Sequence, residues 1–356
     1  MNSWTLRDIN DFTYGEHATP TLKSGEVLVA VKAAGICGSD IPRAYKTGAH
    51  VHPIIIGHEF AGVVEKCGPD TDAAWEGKHV GVFPLIPCGK CIPCQKKQYE
   101  MCRNYNYLGS RCDGGFADYV AVPEANLIEL SDNVPFTQAA MMEPMAVAVH
   151  AMRRGISLME DKKLCETTSV AVSGLGTIGL LLVMFLRQIG VDNIYVIGNK
   201  DTQKRYISEL GISEDRYCDS KTMQVKEWLM EQTDNSGVEL FFECVGKNET
   251  IEQAIDMTAP AGGVVFVGNP YSDITLEKNI YWKILRNQLK VTGTWNSSFT
   301  HDSDDDWHYV AKCLSDGSIH PDMFITHTYE MKDLDKGFHI MRDKTEDYVK
   351  IMGVNP

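Results

Sequence analysis

Along the first 145 or so residues, apolar positions come in short runs separated by Gly, Pro and polar residues: EVLVAVK at 26–32, AGVVEK at 61–66 and KHVGVF at 78–83. Runs of this length bounded by turn formers predict strands joined by long loops, and hence a β-rich domain. Near residue 165 the pattern changes. SVAVS at 169–173 predicts a buried strand, 180–189 a helix, 194–197 a strand and 200–210 a helix, followed by a strand at 238–244, a helix about 250–257 and a strand at 264–267. Strands alternating with helices predict an α/β unit, a doubly wound parallel sheet with crossover helices. Beyond about 295 the sequence is again mixed and loop-rich, and neither an internal repeat nor a low-complexity linker interrupts it.

Composition narrows the class. A chain of 356 residues, 44% hydrophobic and 23% charged, can bury the cores of two domains. Its longest apolar run, 180–186, is too short to cross a bilayer, and the opening MNSWTLRDINDF lacks the basic and apolar regions of a secretory signal. The expectation is a cytoplasmic protein without a membrane partner. Eleven cysteines in such a chain fit a reducing compartment, where thiols stay free or bind metal. A net charge of -14 with no cluster of Lys and Arg argues against nucleic acid as a partner. The acidic run DSDDD at 302–306 reads as a solvated loop.

Candidate chemistry lies in three places. Cys88, Cys91, Cys94 and Cys102 follow a C-x2-C-x2-C-x7-C spacing that lets four thiolates meet on one tetrahedral ion. Zinc fits best, as a closed structural site stapling a loop with few apolar residues; an iron–sulfur centre and a pair of disulfides are the alternatives. Upstream, AGICGSD at 34–40 and GHEF at 57–60 supply Cys37, His58 and Glu59, the thiolate, imidazole and carboxylate mix of a catalytic zinc that keeps one position open. Glu143, in MMEPM, is a further candidate. Each of these also has an ordinary structural reading, Cys37 as a small buried apolar group and Glu143 as an acid at a helix start.

The third place is VAVSGLGTIGLLL at 170–182, with Gly174-x-Gly176-x-x-Gly179 between a strand and an apolar helix that Thr177 and Ile178 open. The first glycine makes the turn, the second admits a pyrophosphate close to the backbone, the third lets helix pack on strand, and the helix N-terminus faces the phosphates. An NAD site would place Asp or Glu about 20 residues on, where this chain has Gly198, Asn199 and Lys200. A glycine leaves room for a 2′-phosphate and a lysine supplies positive charge, so NADP(H) is expected in preference to NAD(H).

Taken together, GICGSD, GHEFAGVV, the four-cysteine lobe, DGGFADY at 113–119, EP at 143–144 and SGLGTIGLL resemble, in order, the zinc-dependent medium-chain alcohol and polyol dehydrogenases. Within that family, CGSDIPRAYKTGAHVHPIIIGHEF and YNYLGSRCDGGFADY look most like the members acting on sugar alcohols and their phosphates. The resemblance implies a GroES-like catalytic domain over 1–146 and 295–356 with a structural zinc lobe at about 86–104. It also implies a Rossmann cofactor domain over 147–294, two zinc ions per chain, and a homodimer or homotetramer. Cys37, His58 and Glu59 would hold the catalytic ion, Glu143 would ligate directly or through water, and Ser39 would begin a proton relay. Where a histidine often continues that relay, this chain has Pro42.

The small-molecule substrate is then a secondary alcohol or ketone. Arg43 and Lys46 are candidate anchors for a substrate phosphate, favouring a sugar alcohol or its phosphate. Trp295, in GTWNSSF, is a candidate pocket wall that would equally suit a bulkier apolar alcohol or ketone of hydroxysteroid type. A non-catalytic dinucleotide-binding protein is the remaining alternative, set against the presence of all the expected ligands.

Overall fold

The computed structural model describes residues 1–356, which separate into two compact units: Met1–Ala146 with Ser297–Pro356, and Val147–Asn296. The first is the GroES-like, β-rich unit. Its seven-stranded sheet runs in the order Leu127–Glu129, His79–Val82, Glu59–Cys67, Glu26–Gly35, Lys350–Val354, Ile325–Glu330, with Tyr119–Pro123 pairing the first half of Glu26–Gly35. Val27, Val29 and Val31 point into a core shared with Val64, Val80, Val82, Val120 and Val122. Each such side chain removed from water contributes about 1.5–3 kcal/mol.

Register is what positions the chemistry. Gly35 stands opposite Glu59 on one side and Met352 on the other. The end of one strand, the start of a second and a strand from the far end of the chain therefore meet at one corner. A Cβ at residue 35 would overlap Glu59 Oε2 and press on Lys350 Cδ, so only glycine fits there.

In the second unit six parallel strands are ordered Tyr217–Asp219, Ile194–Gly198, Val170–Ser173, Val238–Glu243, Thr258–Phe266, Lys290–Gly293. This is the Rossmann order, and its reversal beside Val170–Ser173 opens a crevice at the carboxyl ends of the strands. Val170–Ser173 and Ile194–Gly198 are buried at every residue, which is why both read as continuous rather than alternating apolar runs.

The predicted elements appear with shifted ends. The first helix of this unit is Thr177–Gln188, beginning three residues early because Gly176 caps it, and the strand expected at 264–267 is Thr258–Phe266. The stretch beyond 295, read as mixed and loop-rich, contains the helices Asp306–Ser315 and Asp335–Asp343 and a parallel strand pair, Ile325–Glu330 with Lys350–Val354. Its helices span only ten and nine residues, which leaves few turns over which a period can show in sequence. No helix is long and apolar enough to cross a membrane.

Candidate active site and metal centres

At the corner made by Gly35 and Glu59, Cys37 leaves one strand just as His58 and Glu59 enter the next. A ligand atom from each of the three residues lies within 4.8 Å of the others. Donors about 2.0–2.3 Å from one zinc ion are separated by no more than this, so the three residues fit a shared ion and leave a coordination position free. Ser39 Oγ, exposed, donates to Cys37 Sγ at 3.3 Å.

The surrounding groups hold the ligands in place. Asp40 is fully buried and accepts the Cys37 amide at 3.1 Å through Oδ2, while Oδ1 faces His58 Nδ1 at 3.5 Å, an electrostatic contact longer than a hydrogen bond. With Nδ1 turned to a carboxylate, Nε2 is the nitrogen that would ligate. Burial alone would raise the Asp40 pKa, but His58, then Arg43 and the Cys37 amide, outweigh it and hold the carboxyl below its usual range. On the other side Lys350 Nζ binds Glu59 Oε2 at 2.5 Å and Ile36 O at 3.2 Å, with both side chains 2% exposed. Burial would discharge this lysine; Glu59 and Cys37 reverse the effect and raise its pKa.

Glu143 lies in the first turn of the helix Met142–Ile156. It is buried and accepts the Tyr107 hydroxyl at 3.3 Å, and the Tyr107 ring meets His58 edge-on at 5.8 Å. It stands outside the three-ligand group. Burial, with Glu59 adding repulsion, pushes its pKa up to about 7 against the opposing pull of His58 and Lys350. The sulfur, nitrogen and oxygen donor set of Cys37, His58 and Glu59 fits a bound dication.

The four-cysteine lobe forms a second candidate centre in the same unit. The sulfurs of Cys91 and Cys94 are 3.5 Å apart, those of Cys91 and Cys102 3.8 Å, and those of Cys88 and Cys94 4.0 Å. Four sulfurs at about 2.3 Å from a tetrahedral zinc stand about 3.8 Å from one another. All four thiols are free, and none is near the ~2.05 Å of a disulfide. The amides of Arg103 and Cys94 lower the Cys91 pKa to about 6, whereas burial and neighbouring thiols push Cys94 to about 12. Backbone amides aimed at sulfur in this way stabilise thiolate ligands.

In the second unit Gly174 takes φ +94° at the strand-to-helix turn, and a Cβ there would strike Val245 Cγ2. Around Gly176 the space is open, as a backbone approached by pyrophosphate requires. A cleft of about 530 Å³ continues from this turn, lined by Gly174, Gly198, Asn199, Ser220, Lys221 and Lys247 among others. Gln203 Oε1 accepts the amides of Asn199 and Lys200 at 2.8 and 3.1 Å, and its Nε2 donates to Leu175 O, tying the second strand's end to the glycine turn. Thr177 and Ile178 form the helix's first turn.

Several functional positions differ from the expectation. Arg43 pairs with Asp40 at 2.5 Å, and Lys46 is exposed later in the same turn. Trp295 is 57% exposed and belongs to the second unit. Asp40, Tyr107, Lys350, Lys221 and Lys247 were not singled out from sequence. The two cleft lysines follow the ends of the strands Tyr217–Asp219 and Val238–Glu243, a position that marks cofactor contacts in open α/β sheets. Lys350 carries no such signal.

Residues 23–132 match the family described as "Alcohol dehydrogenase GroES-like domain" and residues 177–316 that described as "Zinc-binding dehydrogenase". The chain is 31% identical to galactitol 1-phosphate 5-dehydrogenase of Escherichia coli (strain K12) over 314 residues, 88% of each protein. The crystal structure of galactitol-1-phosphate dehydrogenase from Escherichia coli superposes with a TM-score of 0.90 at 28% identity, covering 100% of both chains. An alcohol dehydrogenase from E. coli CFT073, complexed with cofactor NADH, superposes with a TM-score of 0.89 at 26% identity, covering 100% of this chain and 99% of that one.

Proposed function

Because the chain belongs to the zinc-dependent medium-chain polyol dehydrogenase family of oxidoreductases, we propose that it oxidises a secondary hydroxyl of a sugar alcohol or sugar-alcohol phosphate to the ketose, with NADP(H) as the preferred nicotinamide cofactor. The observation that carries the reading is the meeting of Cys37, His58 and Glu59 within 4.8 Å at a corner where only three protein ligands converge. When bound there, zinc supplies Lewis acidity that eases loss of a hydroxyl proton, and the nicotinamide accepts the hydride.

The protein's own part is positioning. Asp40 fixes the His58 ring, and Lys350 holds one Glu59 oxygen, so two of the three ligands are pre-oriented by buried charges. Ser39 Oγ sits between the Cys37 sulfur and solvent, and is the first atom able to pass the hydroxyl's proton outward. Pro42 offers no second station, so the proton leaves through water, a cofactor ribose hydroxyl or Glu143. Glu143, whose pKa burial raises to about 7, carries less negative charge near neutral pH than an exposed glutamate would.

The preference for NADP(H) rests on the absence of a carboxylate at the end of Ile194–Gly198, where Gly198 and Asn199 line the cleft; the lysines that line it are Lys221 and Lys247, not the Lys200 expected from sequence. Polyols, polyol phosphates and hydrophobic ketones should be screened with both cofactors by absorbance of the reduced nicotinamide, alongside metal analysis. The expected outcome is two zinc ions per chain, one removed by mild chelation with loss of polyol turnover. Turnover of hydrophobic ketones alone, or a single tightly held ion, would refute the proposal.

A further inference from the structure

We infer that Arg111 is the anion-holding residue of the substrate site, so that the polyol oxidised here carries an oxyanion, phosphate or carboxylate, away from its reacting hydroxyl. The inference rests on the polyol reading above and names the group that would recognise the substrate's charged end.

Arg111 sits on a turn built to be rigid. The amides of Ser110, Arg111 and Cys112 all converge on Tyr107 O, at 3.2, 2.9 and 3.2 Å, and Gly109 N closes the turn on Cys112 O at 2.8 Å. The turn is pinned to the loop bearing His58. Gly109 adopts φ +76°, a Cβ there would overlap the Gly57 backbone, and Gly115 N donates to Gly57 O at 2.8 Å. Its placement is therefore tied to that of a candidate metal ligand.

A row of rings connects the two. The Arg111 guanidinium lies 4.6 Å over the Tyr105 ring, Tyr105 meets Tyr107 edge-on at 6.1 Å, and Tyr107 meets His58. A guanidinium is planar and carries paired donors of the kind that suit a bidentate oxyanion.

What this guanidinium lacks is an acceptor. Its Nε is buried and unpartnered, and no carboxylate pairs with it, in contrast to Arg43 with Asp40, Arg187 with Asp192 and Arg342 with Asp343. Buried donors are almost always satisfied in folded proteins, so the charge of this guanidinium is left without a protein counter-ion in a turn tied to the His58 loop. His50 is a further neighbour. Its pKa is lowered by desolvation, then by the charges of Arg111 and Arg43, although the residue is exposed. Since Asp40 already neutralises Arg43, Arg111 supplies the uncompensated positive charge.

The test measures binding to zinc-loaded, full-length protein by calorimetry, using galactitol, galactitol 1-phosphate, galactonate and inorganic phosphate as probes. Wild type is compared with Arg111→Gln and Arg111→Lys. The expected result is that Arg111→Gln lowers the ratio of anionic to neutral polyol affinity at least tenfold, with Arg111→Lys between it and wild type. Whichever of galactitol 1-phosphate and galactonate binds wild type more tightly identifies the anion. Partial misfolding changes the number of sites but leaves that ratio intact. If wild type binds inorganic phosphate but no polyol, and Arg111→Gln loses the phosphate, the polyol reading fails while the anion site stands. Equal weakening of galactitol and galactitol 1-phosphate, or no preference for the anions in wild type, overturns the assignment.

Discussion

Replacing Lys350 by Met should reveal how strongly the far end of the chain holds the metal corner. The lysine and Glu59 are 2.5 Å apart, and each side chain is only 2% exposed. At an effective dielectric of about 20 their attraction is about 6–7 kcal/mol, most of which offsets the desolvation of two ions. The measurable quantity is the charge left behind. Met fills the volume of the lysine stem but leaves the Glu59 carboxylate buried and unpaired, which costs about 3–5 kcal/mol. For a unit of about 200 residues this corresponds to a fall of about 6–20 °C in melting temperature. Differential scanning calorimetry of the metal-free protein should show that fall for Lys350→Met. A Glu59→Gln, Lys350→Met double variant should recover at least half of it, because no charge remains to be stranded. Zinc should shrink the penalty in the single variant by giving the carboxylate another positive partner. Melting within about 2 °C of wild type, or additive losses in the double variant, would refute this account of the pair.

Other perturbations test neighbouring claims. Cys94→Ser should reduce zinc from two ions per chain to one by elemental analysis and destabilise the 86–104 lobe, whose order depends on its sulfurs. Asn199→Asp should place a carboxylate at the cleft and lower kcat/KM for NADPH at least tenfold relative to NADH, as measured by initial rates. Tyr107→Phe removes a hydroxyl donated to a buried carboxylate and should cost about 1–2 kcal/mol in denaturant unfolding of the metal-free protein. Ser39→Ala should leave zinc content unchanged while slowing turnover and steepening its dependence on added buffer base, since the first proton acceptor is gone.

What could be read from the chain and what could not divide along a physical line. The glycine turn at 174–179, the strands at 170–173 and 194–198 and the four-cysteine lobe are local patterns whose meaning lies within a short window, and they were legible for that reason. Cys37, His58 and Glu59 were legible as residue types, but their meeting depends on Gly35 pairing with Glu59, a register that sequence spacing does not state. Lys350 was invisible because it reaches Glu59 across 291 positions, through a strand that read as part of a mixed tail.

The basic residues show the same line most clearly. Arg43 and Lys46 drew notice because they follow Cys37 closely, yet on a short helical turn a residue three positions on faces back along its own face, and Arg43 accordingly closes on Asp40. Arg111 lies 74 positions from Cys37 and gave no comparable signal. Its turn is tied to the His58 loop because six residues fold onto Gly57, and its charge stays unpaired because Tyr105, which offers a ring face and no carboxylate, is what it packs against. An arginine neutralised by an aspartate orders the His58 side of the site, whereas one resting on an aromatic ring keeps its donors for a ligand. Sequence proximity to a metal ligand therefore selects for residues that support the ligand. The residues that face the substrate come from segments whose approach is set by close backbone contact.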